Sequence, residues 1–294
     1  MQLTKKFVKA KNPCMSGYRW FLRDQNGQGD YQAILDALIA DNRVDDACWL
    51  LDQFGPTDAV LTVDCIDANA IVFAGTLVVS QGINVDTVVR AGRWIRTGGG
   101  IKAGTDIVAG EGIDAKGSII SGGHIRADDD VHAGWGIEAA SRFECGGNVR
   151  AKWDICAGQG VSVMGDIRVG QSLVAGGSIK CEQGIKAGGK VQAEHDIWVA
   201  SGIQAGDSIV AGNHIETGWG MQSGCDIVAD GAIKAGEGLA AEGRIAPGAG
   251  HGVYAGLRVR LDAWADAARV MARTRPEPLI SGYWCGADTQ ASSA

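Results

Sequence analysis

The side chains of this chain that could do chemistry are few and widely spread. His124 and His214 occupy the same phase of a repeat, and a hexapeptide-type acyltransferase would need such a histidine as its base. They lie 90 residues apart. In a coil of 18 residues, three units of the repeat, that separation is about five coils, or more than about 20 Å at about 4.8 Å per coil. A base must stand within hydrogen-bond reach of the proton it takes, so the two cannot share a site and read as solvated corner residues. Asp128, Asp129 and Asp130 form the dense acidic cluster. Carboxylates at a turn can hold calcium, but the glycine-rich nonapeptide of calcium β-rolls is absent. The cluster therefore reads as a solvated corner or a patch for a basic partner. Gly98, Gly99 and Gly100 lack the Gly-Lys-Ser/Thr ending of a phosphate loop. No Ser-His-Asp set or paired carboxylates are legible, so no catalytic residue, cofactor or metal is expected.

Tryptophan offers more. Trp94, Trp135, Trp153, Trp198 and Trp219 fall at phases that should point outward, and tryptophan is enriched among the residues that dominate protein interfaces. Trp135, Trp153, Trp198 and Trp219, with Asp128, Asp129 and Asp130, are the expected partner-binding residues.

What positions all of these is a repeat. From residue 71 to residue 250 an apolar residue recurs every six positions, from Ile71, Leu77 and Ile83 to Ile233, Leu239 and Ile245. A typical unit runs Ile101, Lys102, Ala103, Gly104, Thr105, Asp106. Its first and third residues are apolar and its second is polar, the alternation of a short strand with one face buried. The Gly, Asp, Ser and Asn of the second half read as a corner in left-handed backbone angles. Each unit buries its apolar face only by stacking on neighbours. Three sides make an 18-residue coil. The larger third-position residues Phe73, Cys145, Val163, Cys181, Val199 and Thr217 then share one side, and Trp135 and Trp153 stack on one ladder. A flatter, two-sided coil built from two units instead of three stays open. The expected fold is all-β: a single-stranded, three-sided parallel β-helix of about ten coils, roughly 45–50 Å long. In left-handed acyltransferase helices the small residue precedes the aliphatic one, whereas here it follows, which leaves the hand open.

Composition narrows the class. The 294 residues hold 45 glycines but only 5 prolines and carry a net charge of −7. A mildly acidic surface with no basic stripe speaks against nucleic acid and suits a basic protein. Neither a secretory h-region nor a membrane-length apolar run is present. Eight cysteines without a CxxC pair read as free thiols, and the expected location is the cytoplasm. Cys145 and Cys181, two coils or about 9–10 Å apart, are too far for a disulfide and serve as small core fillers.

Three domains are expected. Residues 1–56 form an N-terminal helical cap in which residues 1–14 are a basic, weakly ordered leader. Asp30 caps one helix, and Asp45 or Asp46 starts a second that Gly55 and Pro56 close. This hairpin should cover the first coil. Residues 57–250 form the β-helix, with 57–70 as its lead-in strand. Residues 251–294 form a C-terminal cap, with a strand over 253–261, a helix or strand over 262–273, and disorder over 290–294.

The N-terminal Ser16-Gly17-Tyr18-Arg19-Trp20-Phe21, the Asp46-Ala47-Cys48-Trp49-Leu50-Leu51-Asp52-Gln53-Phe54-Gly55 segment, the long run of Gly-Ile-x-Ala-Gly units and Tyr254-Ala255-Gly256 together resemble a family of uncharacterised bacterial β-solenoid proteins. That resemblance implies proteins similar to the immunity partners of polymorphic toxins. More distantly the shaft looks like bactofilins, whose β-helices polymerise end to end. The first functional expectation is therefore a non-enzymatic solenoid that binds and neutralises a protein such as a toxin, with a homodimer left open. The alternative is a self-associating structural β-helix, and the third reading a hexapeptide acyltransferase-like enzyme.

Overall fold

The computed structural model describes residues 1–286. Three-residue strands follow one another from Ile71–Phe73 onward, separated by tight corners. Along the shaft each strand pairs in parallel with the third strand after it, as Ile101 does with Ile119 and Ile107 with Ile125. This register selects three sides over two. The result is three parallel sheets: a long sheet of 13 strands (Val60–Val63 to Tyr283–Trp284), a middle sheet of 12 (Ile71–Phe73 to Leu279–Ser281) and a short sheet of 11 (Ile66–Ala68 to Ile245–Ala246). Some twelve coils at about 4.8 Å give a shaft roughly 53 Å long, longer than the expected ten coils.

The packing follows from the strand alternation. The first and third residues of nearly every strand are buried and the second faces out. Columns of Ile, Val and Leu fill the prism, each contributing roughly 1.5–3 kcal/mol when fully buried. Phe73, Cys145, Val163, Cys181, Val199 and Thr217 all lie in the middle sheet, as expected. Polar residues at the third position are satisfied locally: the hydroxyls of Thr97 and Ser223 donate to the carbonyls of Gln81 and Asp207 at 2.6 and 2.7 Å.

The glycines have a different cause from the one expected. None between Gly75 and Gly248 has a left-handed φ. Their role is clearance. A Cβ on Gly104 or Gly122 would stand 2.0 or 2.1 Å from the carbonyl oxygen of the residue one coil below. At these glycines the corner backbones approach too closely for a side chain, although Ala140, Lys152 and Met164 hold the same phase on other coils.

The ends depart from the period. In the first coil Leu61 pairs with Leu77 and Ile66 with Ile83, both short of the full three-unit spacing, so residues 57–70 supply two strands rather than one. The expected leader is ordered: Gln2–Thr4 pairs antiparallel with Gln28–Asp30, and α1 (Lys5–Ala10) follows it. Helices α2 (Met15–Asp24), α3 (Tyr31–Ala40) and α4 (Val44–Phe54) complete the N-terminal region. Asp30 caps α3 through the Gln32 N–H at 3.1 Å. Trp20, Phe21, Ile34, Leu35, Leu38 and Leu50 form its core, joined by Val72 and Ala74 of the shaft.

This helical layer covers one side of the first coil. The Gln32 amide donates to the Val72 carbonyl at 3.1 Å and accepts from the Ala74 N–H at 2.9 Å, replacing a missing strand neighbour. The ion pair Arg90–Asp52 pins α4 to the shaft, and Arg93–Asp58 ties the residues just before Val60–Val63 to the next coil. The first strands of the long and short sheets, Val60–Val63 and Ile66–Ala68, keep unpaired outer edges.

Residues 253–286 add strands rather than only closing the shaft. Val253–Tyr254 and Leu279–Ser281 extend the middle sheet; Arg269–Met271 and Tyr283–Trp284 extend the long one. The strand expected over 253–261 shrinks to Val253–Tyr254, and a short 3-10 turn and helix span 261–267. The disorder expected for residues 290–294 lies outside the described residues.

Candidate functional site

The corner residues come first, because the histidines sit there. The last residue of each unit has an N–H that points along the shaft, and the side chain one coil earlier often accepts from it. On the short–middle corner the His124 N–H donates to Asp106 Oδ1 at 2.7 Å, and His124 Nδ1 accepts from the Arg142 N–H at 3.4 Å. Five coils on, the His214 N–H donates to Asp196 Oδ1 at 3.1 Å and His214 Nδ1 accepts from the Ala232 N–H at 2.9 Å. Both imidazoles thus satisfy a backbone donor that would otherwise go unpaired. They share an edge but not a site.

Asp130 plays the same part on the middle–long corner. Its Oδ1 accepts from the Asn148 N–H and Nδ2 at 2.6 and 3.1 Å, Asn148 Oδ1 accepts from the Asp166 N–H at 3.0 Å, and Asp166 Oδ1 accepts from the Gly184 N–H at 3.0 Å. Asp128 pairs with Arg126 at 3.2 Å, and Asp129 is exposed. Among the described residues no three His, Cys, Asp or Glu side chains gather in a metal-binding group.

Cys145 and Cys181 are buried, and their thiols donate to the carbonyls of Asp129 and Gly165 at 3.1 and 3.2 Å. Burial pushes each thiol up from 9.0 to about 11. Native protein at about pH 8 is therefore expected to be alkylated at the exposed Cys14, Cys65, Cys156, Cys225 and Cys285 and spared at Cys145 and Cys181, as mass spectrometry would read. Because the folded values are raised, the stability these thiols contribute is full below about pH 9 and is lost as pH rises through about 11. A Cys145→Ala/Cys181→Ala variant should show a shallower alkaline loss in urea titrations.

The tryptophans divide. Trp135, Trp153 and Trp219 are 65%, 62% and 59% exposed. Trp198 is half-buried under Lys180, whose Nζ lies 5.4 Å from the ring. Trp94 packs over Gly112 with the Arg96 guanidinium 4.8 Å above it, so it does not stand free as expected. The Trp153 N–H donates to the Trp135 carbonyl at 3.2 Å, which places the two on successive coils of the long–short corner. Trp219 and Asp128, Asp129 and Asp130 lie on the middle–long corner, and Trp198 lies on the middle sheet's outer face. The expected site residues therefore do not form one patch. They do frame one: both corners that carry the exposed Trp135, Trp153 and Trp219 border the long sheet.

That sheet's outward row shows what linear reading missed. Asp114, His132, Arg150, Arg168, Lys186, Gln204 and Gln222 stand in direct register on successive coils. Burial raises the Asp114 pKa, but hydrogen bonds from Lys116 and His132 outweigh it and leave the carboxyl below its usual range. Arg168 meets Asp166 only at 3.7 Å. Among the described residues no carboxylate pairs with Arg150 or Lys186. The expected absence of a basic stripe thus fails here. Residues one coil apart look unrelated along the chain, and the coil aligns them.

The other faces differ. On the middle sheet opposite charges pair locally, as Lys180–Glu182 does at 2.9 Å and Lys234–Glu216 at 3.9 Å. The short sheet carries Val174, Gln192, Val210 and Val228 in register. Shallow depressions flank the basic row. One of about 1140 Å³ runs along the middle–long corner, where Arg168, Lys186, Gln222, Trp219 and Glu237 are among the residues that line it. The shaft carries no deep pocket of the enclosed, mostly apolar kind that takes small molecules among the best-formed depressions of the described residues.

Comparison with known proteins reaches only the helical region: residues 1–54 match the YdhT N-terminal domain, ending where α4 ends. No curated protein and no solved structure matches the chain. Among the described residues no helix is long and apolar enough to cross a membrane. The chain is thus a parallel β-solenoid carrying a YdhT-like N-terminal domain.

Proposed function

We propose that this protein is a non-enzymatic, cytoplasmic binding solenoid that neutralises a partner protein, such as a bacterial toxin domain, by covering it with one side of the shaft. The observation that carries this reading is the Trp135–Trp153 pair, two exposed indoles on successive coils at the border of an unobstructed sheet. Exposed aromatic side chains of this size are common anchors of protein interfaces. A rigid shaft with loopless sides loses little conformational freedom on binding. The net charge of −7 favours long-range attraction of a partner with net positive charge, while contact is decided by the local rows.

The test is affinity capture from the source cells with the full chain as bait. One partner recovered in stoichiometric amount, and lost from the Trp135→Ala/Trp153→Ala variant, is the expected result. A loss of about tenfold or more fits two hot-spot residues; a variant that retains the partner undiminished removes the tryptophans from the interface.

A second reading, self-association into a structural filament, is favoured by the unpaired outer edges of Val60–Val63 and Ile66–Ala68. Open edges are templates for pairing with another chain. It predicts assemblies that grow with protein concentration and contain this chain alone.

A further inference from the structure

The outward row of the long sheet carries an unbalanced feature. Arg150, Arg168 and Lys186 face one another directly across neighbouring strands, and like charges directly opposite are destabilising. Elsewhere the shaft avoids this: on the middle sheet Arg126 stands opposite Glu144, Lys180 between Ser162 and Trp198, and Lys234 opposite Glu216. Among the described residues only Arg168 of the three long-sheet cations has a carboxylate, Asp166 at 3.7 Å. We infer that this row is the docking site for an acidic α-helix of the partner protein, lying along the shaft axis. The inference rests on the protein-binding reading above.

The spacing supports a helix over other acidic partners. Three rungs at about 4.8 Å span about 9.6 Å. Carboxylates at positions i, i+3 or i+4, and i+7 of a helix span about 10.5 Å of axis and project from one face. A parallel helix therefore meets each cation in turn. An extended strand presents same-side residues about 6.6–6.8 Å apart and falls out of step by the third rung. The Arg guanidinium groups suit carboxylates, which they hold through two hydrogen bonds. Past Lys186 the row continues as Gln204 and Gln222, neutral donors that can meet a helix's polar flank. A nucleic acid fits less well, because it is anionic along its whole length and meets a chain of net charge −7, whereas a protein that is basic overall can present a single acidic helix.

The test titrates the full-length protein with a labelled alanine-based helical peptide bearing glutamates at i, i+4, i+7 and i+11. An isomer with the same composition spreads its glutamates around the helix, and a single-stranded oligonucleotide competes. Binding at about 20 mM salt, where screening is weak, is expected to favour the one-faced peptide about tenfold over its isomer. Arg150→Glu/Arg168→Glu should abolish that preference. Arg168→Glu alone should also raise the melting temperature, because it alternates the charges along the row; a merely structural role for Arg168 predicts the reverse. Equal binding of the two peptides, unchanged binding to the charge-reversed variant, or tighter binding of the oligonucleotide would each overturn the inference. Should the captured partner bind the charge-reversed variant as well as it binds wild type, the binding reading survives and this face is the wrong one. If capture recovers no partner, the binding reading fails by itself.

Discussion

Phe143→Ala is expected to cost about 3–5 kcal/mol, the range for emptying a buried aromatic site. Phe143 is fully buried in the middle sheet, stacked between Ile125 and Val161. The columns above and below it are held by the ladders of two neighbouring coils, so they cannot collapse into the space. A solenoid adds a second consequence. Each coil contacts only its neighbours, so a void in mid-shaft weakens the joint between two halves. Urea denaturation should show a large fall in midpoint, and a second, separately melting half is the expected appearance at high damage. Glu138→Ala, on an exposed outward position nearby, is the control and should stay within about 0.5 kcal/mol. Equal effects at the two positions would contradict the assignment of inside and outside.

Gly122→Val should be nearly as damaging, at about 3 kcal/mol, for a reason unrelated to backbone angles. A Cβ there would meet the Gly104 carbonyl oxygen at 2.1 Å and its carbon at 2.9 Å, and separating two coils at a corner strains both ladders. Gly55 is the opposite case. It has open space around its missing Cβ but a φ of +76°, so Gly55→Ala should cost only about 1–2 kcal/mol of backbone strain. Thermal melts of the two variants separate clearance from conformation. If Gly122→Val melts like wild type, close approach of the coils is not what keeps glycine at this corner.

The comparison of these two glycines also shows what can be read from residues alone. The even spacing of Ile101, Ile107 and Ile113 predicts strands and their inward faces, because burial and alternation are local consequences of residue type, but it leaves two sides or three open until the pairing of Ile101 with Ile119 decides. Residue types alone misassign the reason for the glycines, since they cannot show how near the next coil lies. The ends are hidden by insertions. Ile233 pairs with Val253 and Leu239 with Val270, both beyond the three-unit spacing, so the tail's strands fall off the period although they extend the same sheets. Helix α1 escapes a residue-by-residue reading because Lys5–Ala10 is basic and begins without a side-chain cap. The tryptophans are legible as exposed at Trp135, Trp153 and Trp219 but not at Trp94, whose cover comes from Gly112 and Arg96. The row of Arg150, Arg168 and Lys186 emerges only when the sequence is written one coil per line; the overall acidity masks it.

The measurement that tests the central claim most directly is hydroxyl-radical footprinting of the protein alone and with its captured partner. A side-binding solenoid predicts protection of Trp135, Trp153 and the peptide containing Arg150 and Arg168, with Val60 at one end and Tyr283 at the other labelled as before. Protection confined to Val60 and Tyr283, or present without any partner as concentration rises, would contradict it and make the shaft a self-assembling rod.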